Sequence, residues 1–153
     1  MIENHRQAQW IVALLVAGII AAGLLVSLGP VSREARQTGA LLAKAAMRDS
    51  VNRYQQMWLT SGEPQLMRVG QAELSMNDNG LVLPVNPHRQ FDCRYWLAVH
   101  YPQRKIMASE LKKVHGERKN DGYRCYYRYQ SGQKVVVSFS ANALKIDVEI
   151  PTE

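Results

Sequence analysis

The chain has few of the residues that build disulfide scaffolds and metal sites: 153 residues include two cysteines, Cys93 and Cys125, and four histidines. Two cysteines are too few for a disulfide-rich scaffold, and these two do not form a Cys-x-x-Cys motif. No histidine lies at metal-ligand spacing from either cysteine, so the sequence predicts no metal site. The length suits one ordinary domain and not two.

Motifs of the common enzyme classes are also missing. The sequence has no phosphate-binding Gly-x-x-x-x-Gly-Lys-Ser/Thr loop, no Gly-x-Gly-x-x-Gly fingerprint, no Gly-x-Ser-x-Gly and no His-Glu-x-x-His. Its acidic residues are spread singly, so no carboxylate pair indicates hydrolysis. We therefore predict that the chain is not an enzyme, that it binds no cofactor, and that it has no catalytic, cofactor-binding or metal-binding residues.

Charge is absent from one run of nineteen residues, from Trp10 to Leu28, in which Ser27 is the only clearly polar side chain. As a helix this run would be about 28 Å long, close to the hydrocarbon thickness of a bilayer. It excludes a freely soluble protein, and as a single run it excludes a polytopic channel. It is longer than the core of a cleaved signal peptide, and Pro30 follows the small-x-small triplet at 27–29. We expect a short segment over 1–9 and an uncleaved transmembrane helix over 10–28.

Small residues line the apolar run at helical spacing, and such faces allow two helix backbones to approach closely. The candidate helix–helix contact residues in the membrane are Ala13, Ala17, Gly18, Ala21 and Ala22. Alanine-rich anchors also show this pattern by chance. A homo-oligomer through the transmembrane helix is therefore one of two open interpretations.

The net charge of +6 belongs to the part of the chain after the apolar run, because only Glu3 and Arg6 precede it. A solvated basic surface is the plainest interpretation, and attraction to anionic lipid head groups or to an acidic partner are the sharper ones. The aromatic stretch at 122–129 superficially resembles an RNA-recognition strand. It has no small residue after Tyr123 and has Cys125 where an aromatic belongs, so we expect no nucleic acid partner.

The cysteines bear on the orientation in the membrane. Cys93 and Cys125 are either two unrelated free thiols or one disulfide, which would close a loop of about 30 residues and contribute about 3 kcal/mol. A disulfide requires an oxidising compartment. Basic residues soon after the run favour a cytoplasmic domain by the positive-inside rule, but long domains translocate largely regardless of their charge. We favour the disulfide and a domain outside the cytoplasm.

A second helix is predicted over 32–60. Gly29-Pro30 favours a break or kink, and Ser32 has the chemistry of a helix N-cap. Apolar residues then recur at spacings of three and four, which is typical of an amphipathic helix with one buried face. Its core stripe consists of Met47, Val51, Tyr54 and Trp58. The Ser61–Pro64 segment ends this helix.

Residues 65–153 have the pattern of a small antiparallel sheet. Two short extended runs flank Gly70, Asn77–Gly80 forms a turn, and Asp92 caps a short helix from Cys93 to about His100. Residues 106–111 are either a helical turn or a strand, and 112–121 form a charged, exposed segment. Period-two alternation over 123–129, 134–140 and 144–150, with turns at 131–132 and 141–143, indicates a meander. The predicted fold class is α+β, with the sheet domain and the helix at 32–60 packed as one unit.

This layout resembles the type IV pilins: a short N-terminal segment, one membrane helix running into an amphipathic helix, and a small antiparallel sheet with a cysteine pair. The prepilin cleavage motif is missing, so the chain is more similar to an accessory family of that machinery, the F component of mannose-sensitive haemagglutinin (MSHA) pilus biogenesis. The resemblance covers residues 10–100 and rests on Tyr54-Gln55-Gln56-Met57-Trp58-Leu59-x-x-Gly62-x-Pro64, Met76-Asn77-Asp78-Asn79-Gly80, and Asp92-Cys93 with Trp96-Leu97. The chain departs from the family at 81–84, where Gly-Trp-Pro is expected.

The resemblance implies a function outside catalysis. Members of such a family are single-pass proteins of the bacterial inner membrane with a periplasmic C-terminal domain. We therefore expect an accessory protein of type IV pilus assembly, and so of cell adhesion, which binds pilins or other assembly proteins. The alternative is a membrane-anchored periplasmic binding or sensing module unrelated to pili.

Overall fold

The computed structural model describes residues 2–140 and 143–151, with side chains described for 7–26 and from residue 34 onward within those ranges. The described backbone has two helices and seven strands, so the chain is α+β, as predicted. They follow the order α1 (Ile2–Thr60), β1 (Leu66–Val69), β2 (Ala72–Ser75), α2 (Cys93–His100), β3 (Lys105–Ile106), β4 (Ser109–Lys119), β5 (Gly122–Tyr129), β6 (Lys134–Ser140) and β7 (Leu144–Glu149).

Helix α1 is longer than the sequence pattern predicts. Its backbone is helical through Gly29 and Pro30, so a break there and the predicted N-cap at Ser32 are wrong, and a kink at this point stays a prediction. A proline deletes one hydrogen bond of the helical ladder, and the neighbouring bonds can keep the helix continuous. The helix ends where predicted, because Gly62 takes a φ of 82° and the Ser61 amide donates to the Met57 carbonyl at 3.0 Å.

The chain divides into two compact units, Met1–Gln37 and Thr38–Glu153. The first unit is the N-terminal part of α1. The second contains the rest of α1, helix α2 and all the strands. Its short helix α2 begins at the predicted cap, since the Asp92 carboxylate accepts hydrogen bonds from the amides of Arg94 and Tyr95 at 2.8 and 3.1 Å.

Two antiparallel sheets form the β part of the second unit. Strands β1 and β2 pair as a hairpin around Gly70, and the larger sheet has the strand order β3-β4-β5-β6-β7. Strands β5, β6 and β7 lie where the alternation predicts them. The predicted turn at 141–143 lies partly outside the described residues. Residues 105–111 resolve as β3 and the start of β4, with a turn in which Met107 has a φ of 53°.

Strand β4 includes most of the segment at 112–121, for which the sequence predicts charge and exposure and no strand. It pairs with β5 along most of its length, from Leu111↔Tyr129 to Lys119↔Gly122. Its alternation is hidden in the sequence because a register shift lies between Leu111 and Lys113 and because Gly116 occupies an inward position. A strand with charged outward residues and a glycine inward does not have the usual apolar signature.

One hydrophobic core joins both helices and the larger sheet. The predicted core stripe of α1 is confirmed: Met47, Val51 and Trp58 are buried, and Tyr54 packs against the core while partly exposed. Trp96 of α2 is fully buried. Its ring lies 6.3 Å from the Tyr127 ring, and its indole N–H donates to the Val82 carbonyl at 3.1 Å. Trp96 thus connects α2 to the sheet and to the loop before it.

Candidate functional site

The N-terminal unit contains a helix, Gln7–Val26, that is long and apolar enough to cross a membrane. A membrane span and a signal sequence both have this length and composition. The five small residues predicted to contact another helix are all exposed here, and an added Cβ at Gly18 would meet nothing within 4 Å. The surface required for close helix packing is therefore open, and contact with a second helix stays a prediction.

The two cysteines form a disulfide, which confirms the pairing favoured from the sequence. Cys93, the first residue of α2, is bonded to Cys125 in the middle of β5, with a Cα–Cα distance of 5.6 Å. Both residues are buried. The bond fixes the start of α2 to the inner face of the sheet, the face that carries the core.

Gly116 leaves the space that the disulfide occupies. It lies opposite Cys125 on the neighbouring strand β4. A Cβ at this position would be 2.8 Å from the Cys93 sulfur and 2.7 Å from the Phe91 ring. Such distances are shorter than real carbon contacts, so the site requires a residue without a side chain. The disulfide therefore requires a glycine at position 116. The same glycine interrupts the apolar pattern by which a strand such as β4 is recognised in a sequence.

His100 is one of three buried polar residues in the described part of the chain, with Ser50 and Gln133, and the sequence did not predict this burial. The His100 Nδ1 atom lies 3.1 Å from the Ser50 hydroxyl of α1, and the imidazole packs against the rings of Tyr54 and Trp96. Its Nε2 atom has no hydrogen-bond partner among the described residues. Burial lowers the pKa of His100 from 6.5 to about 3, with a smaller contribution from the charge of Arg53. A general base needs a pKa nearer to neutral, so the lowered pKa does not favour His100 as a general base.

The opposite side of the five-stranded sheet, here called the outer face, is polar and carries most of the sheet's charge. It is formed by every second residue of β4 to β7: Lys113, His115, Glu117, Arg124, Tyr126, Arg128, Lys134, Val136, Ser138, Lys145, Asp147 and Glu149. Large exposed apolar side chains of the second unit lie elsewhere, among them Leu41, Leu42 and Met107. The outer face is therefore a surface for polar contacts.

Three cations lie side by side on this face. In the strand register, Lys113 of β4 lies directly opposite Arg128 of β5, and Arg128 lies directly opposite Lys134 of β6. We call Lys113, Arg128 and Lys134 the basic row. Lys134 makes an ion pair with Glu149 at 2.9 Å, whereas Lys113 and Arg128 form none with any described residue. Like charges directly opposite each other destabilise a sheet by up to about 1 kcal/mol per pair.

A shallow groove of about 390 Å³ runs along the basic row. Its other lining residues are His115, Glu117 and Tyr126. The His115 ring stacks near the Tyr126 ring at 5.8 Å, and the Lys134 ammonium lies 5.0 Å from the centre of the same ring. The Tyr126 hydroxyl donates to Glu117 at 3.3 Å. These contacts hold the aromatic floor of the groove in place while Lys113 and Arg128 stay exposed.

Residues suited to metal coordination do not converge anywhere in the described part of the chain, where no group of three or more histidine, cysteine, aspartate or glutamate side chains could hold an ion. Sequence reasoning identified the disulfide and the core stripe. It did not identify the basic row, because that row depends on the strand register and on the unrecognised strand β4. The period-two positions of Lys113, Arg128 and Lys134 were the only available signal.

Comparison with known proteins adds no relative: no protein-family model, no curated protein and no solved structure matches this chain.

Proposed function

We propose that this chain is a single-pass accessory protein of the bacterial inner membrane that acts in type IV pilus assembly of the MSHA kind by binding pilins or other assembly proteins. In this proposal residues 1–9 are cytoplasmic, 10–28 cross the membrane, and the disulfide-bonded unit is periplasmic. The protein performs no catalysis and requires no cofactor.

The observation that carries the proposal is the presence, in one chain, of an exposed apolar N-terminal helix and a disulfide-bonded α+β unit. The disulfide favours an oxidising compartment, and the helix favours attachment to the membrane beside it. The motif resemblance at 54–64, 76–80 and 92–97 supports the link to pilus assembly. The uncovered outer face supports action by contact.

A deletion strain tests the role in assembly. We expect a strain without this chain to carry fewer pili and to adhere less, and the full chain supplied in trans to restore both. Pilus counts by electron microscopy and an adhesion assay give the measurement. Unchanged pilus number and unchanged adhesion in the deletion strain would contradict the proposal.

Reporter fusions test the orientation. Fused to the C-terminus of the full chain, alkaline phosphatase should be active and green fluorescent protein dark, since only a periplasmic C-terminus gives this result. Mass spectrometry under non-reducing conditions should recover the Cys93 and Cys125 peptides as one bonded species. An inactive phosphatase together with a bright fluorescent protein would contradict the periplasmic assignment.

Photo-crosslinking in cells tests the partner. A crosslinking amino acid at Leu42, which is 65% exposed on α1, should capture a pilin or an assembly protein. The same amino acid at the exposed turn residue Arg104 serves as the matched control.

A second candidate, a periplasmic binding or sensing module unrelated to pili, is favoured by the groove along the basic row. Such a module would bind its ligand in a strain that makes no pili. Measuring the ligand-dependent response in that strain separates the two candidates.

A further inference from the structure

The basic row departs from the usual pairing of residues in a sheet, in which like charges do not lie directly opposite each other. Its cations are direct neighbours across three strands, and two of them, Lys113 and Arg128, form no ion pair with a described residue. Elsewhere on this face opposite charges are neighbours: Glu117 is opposite Arg124 across β4 and β5, and Lys145 makes an ion pair with Asp147 along β7 at 2.9 Å. Sites that violate local rules without internal compensation are typically functional. An anion from outside would supply the compensation.

The shape around the row fits an extended chain. Arg128 and Lys134 line the groove of about 390 Å³ and also a second depression of about 480 Å³, which continues past the end of β5 and includes Lys112. Four cations therefore line two depressions that share Arg128 and Lys134, and the second depression also includes Glu149, the ion-pair partner of Lys134. Exposed arginine and lysine side chains offer charge-assisted hydrogen bonds, and arginine can bind a carboxylate with two parallel bonds.

The chemistry of the face distinguishes among anionic partners. A lipid surface is disfavoured, because the outer face presents no large exposed apolar side chain to insert. Nucleic acid and carbohydrate are disfavoured because both use open aromatic faces. The Tyr126 ring is in contact with His115 and Lys134, from the strands on either side. Glu117 at the end of the groove opposes a uniform polyanion. Separate carboxylates on a polypeptide fit best.

We propose that the basic row is a docking site for an acidic segment of another protein, whose carboxylates bind Arg128 and Lys113 and lie along the groove. This inference rests on the proposed function in one respect, that the unit acts by contact with another protein. It does not depend on which assembly that protein belongs to.

The test uses the full chain in nanodiscs of neutral phosphatidylcholine and a fluorescent peptide of about ten residues in which glutamate alternates with serine, called the glutamate peptide. The same peptide with glutamine in place of each glutamate, called the glutamine peptide, is the uncharged control. Anisotropy should show binding of the glutamate peptide that weakens as salt rises from about 0.05 M to about 0.3 M. The glutamine peptide should not bind.

Two charge reversals form the matched pair. Arg128→Glu should weaken binding about tenfold or more, because it removes the central cation and repels the peptide. Arg94→Glu changes the net charge by the same amount at an exposed position on α2, and it should stay within about twofold of the wild type. Lys113→Glu, on the neighbouring strand, should repeat the loss seen with Arg128→Glu.

Stability provides an independent readout. Arg128→Glu places a carboxylate between Lys113 and Lys134, so its melting temperature should equal or exceed that of the wild type. Weaker binding in a variant that is at least as stable supports docking and cannot be attributed to unfolding.

Three results would overturn the inference. Equal losses in Arg94→Glu and Arg128→Glu would mean that net charge alone attracts the peptide. Binding to phosphatidylglycerol vesicles that Arg128→Glu abolishes, with no binding to the peptide, would assign the face to a lipid surface. If the glutamate peptide does not bind even at low salt, the basic row is not a docking site for acidic segments. Each result leaves the proposed function to its own test, the pilus count of the deletion strain.

Discussion

The two faces of the five-stranded sheet are made by alternate residues of the same strands, and they differ in what holds them together. On the inner face of β5, Cys125, Tyr127 and Tyr129 are buried, bonded or packed against α2. On the outer face, Arg124, Tyr126 and Arg128 are exposed or partly exposed, and the residues opposite them on β4 and β6 are mostly polar. Stability therefore depends on the inner face, and the outer face is free to serve recognition.

The largest effect should come from Trp96, the residue of α2 that packs against the inner face. Trp96→Ala should destabilise the second unit by about 3–5 kcal/mol, because it leaves a cavity among Tyr127, Phe139 and His100. Urea unfolding followed by circular dichroism measures the change. Arg94→Ala, on the exposed side of the same helix, is the control and should change stability by less than about 0.5 kcal/mol. Equal effects of the two substitutions would mean that packing of α2 against the inner face does not determine the stability of the unit.

The disulfide should rank second. Replacing Cys93 and Cys125 together by alanine should cost about 3–4 kcal/mol in unfolding free energy, since the bond closes a separation of 32 residues. Chemical reduction of the wild-type chain should give a similar loss and should leave the double variant unaffected. A midpoint that does not respond to reductant would show that the bond is absent or contributes nothing.

The buried histidine makes the inner face sensitive to acid. Because the folded pKa of His100 is about 3 and the unfolded value is about 6.5, the unfolded chain binds the proton first as pH falls. The stability that neutral His100 provides is fully present above pH 6.5 and is lost as the pH falls towards 3. The unfolding free energy should be lower by about 2 kcal/mol at pH 5. Unfolding midpoints at several pH values measure it. His100→Gln should flatten the profile, while His88→Gln, at an exposed loop, should not.

The smallest effect should come from the outer face away from the basic row. Lys145→Ala removes an exposed ion pair with Asp147. The Lys145 side chain is 74% exposed and that of Asp147 is 44% exposed. Surface pairs of this kind contribute little, so the unfolding free energy should change by less than about 0.5 kcal/mol. A loss above 1 kcal/mol would mean that the outer face also stabilises the sheet.

The sequence patterns predicted the parts of this fold that depend on neighbours along the chain. The alternation in β5, β6 and β7, the cap at Asp92 and the core stripe of α1 are of this kind, because period and capping are local properties. The continuity of α1 through Pro30 was not predictable, since a proline only favours a break. Strand β4 was not predicted because its inward position 116 is a glycine instead of an apolar residue. That glycine is required by the disulfide, which joins two other elements.

The functional features depend on distant pairs. His100 meets Ser50, fifty positions away, only after α1 and α2 pack together. The basic row exists only when three strands are in register. The pilus assignment rests on motif resemblance and stays a prediction.

The bond between Cys93 and Cys125 encloses the exposed β4–β5 turn at 120–121, which is a natural place for a protease to cut. A cut there would release no fragment, because the pieces on either side would stay covalently joined through the sulfur atoms. The chain would run at its full mass on a gel until reductant is added. A nicked molecule could thus remain attached to its N-terminal helix and still present most of the sheet.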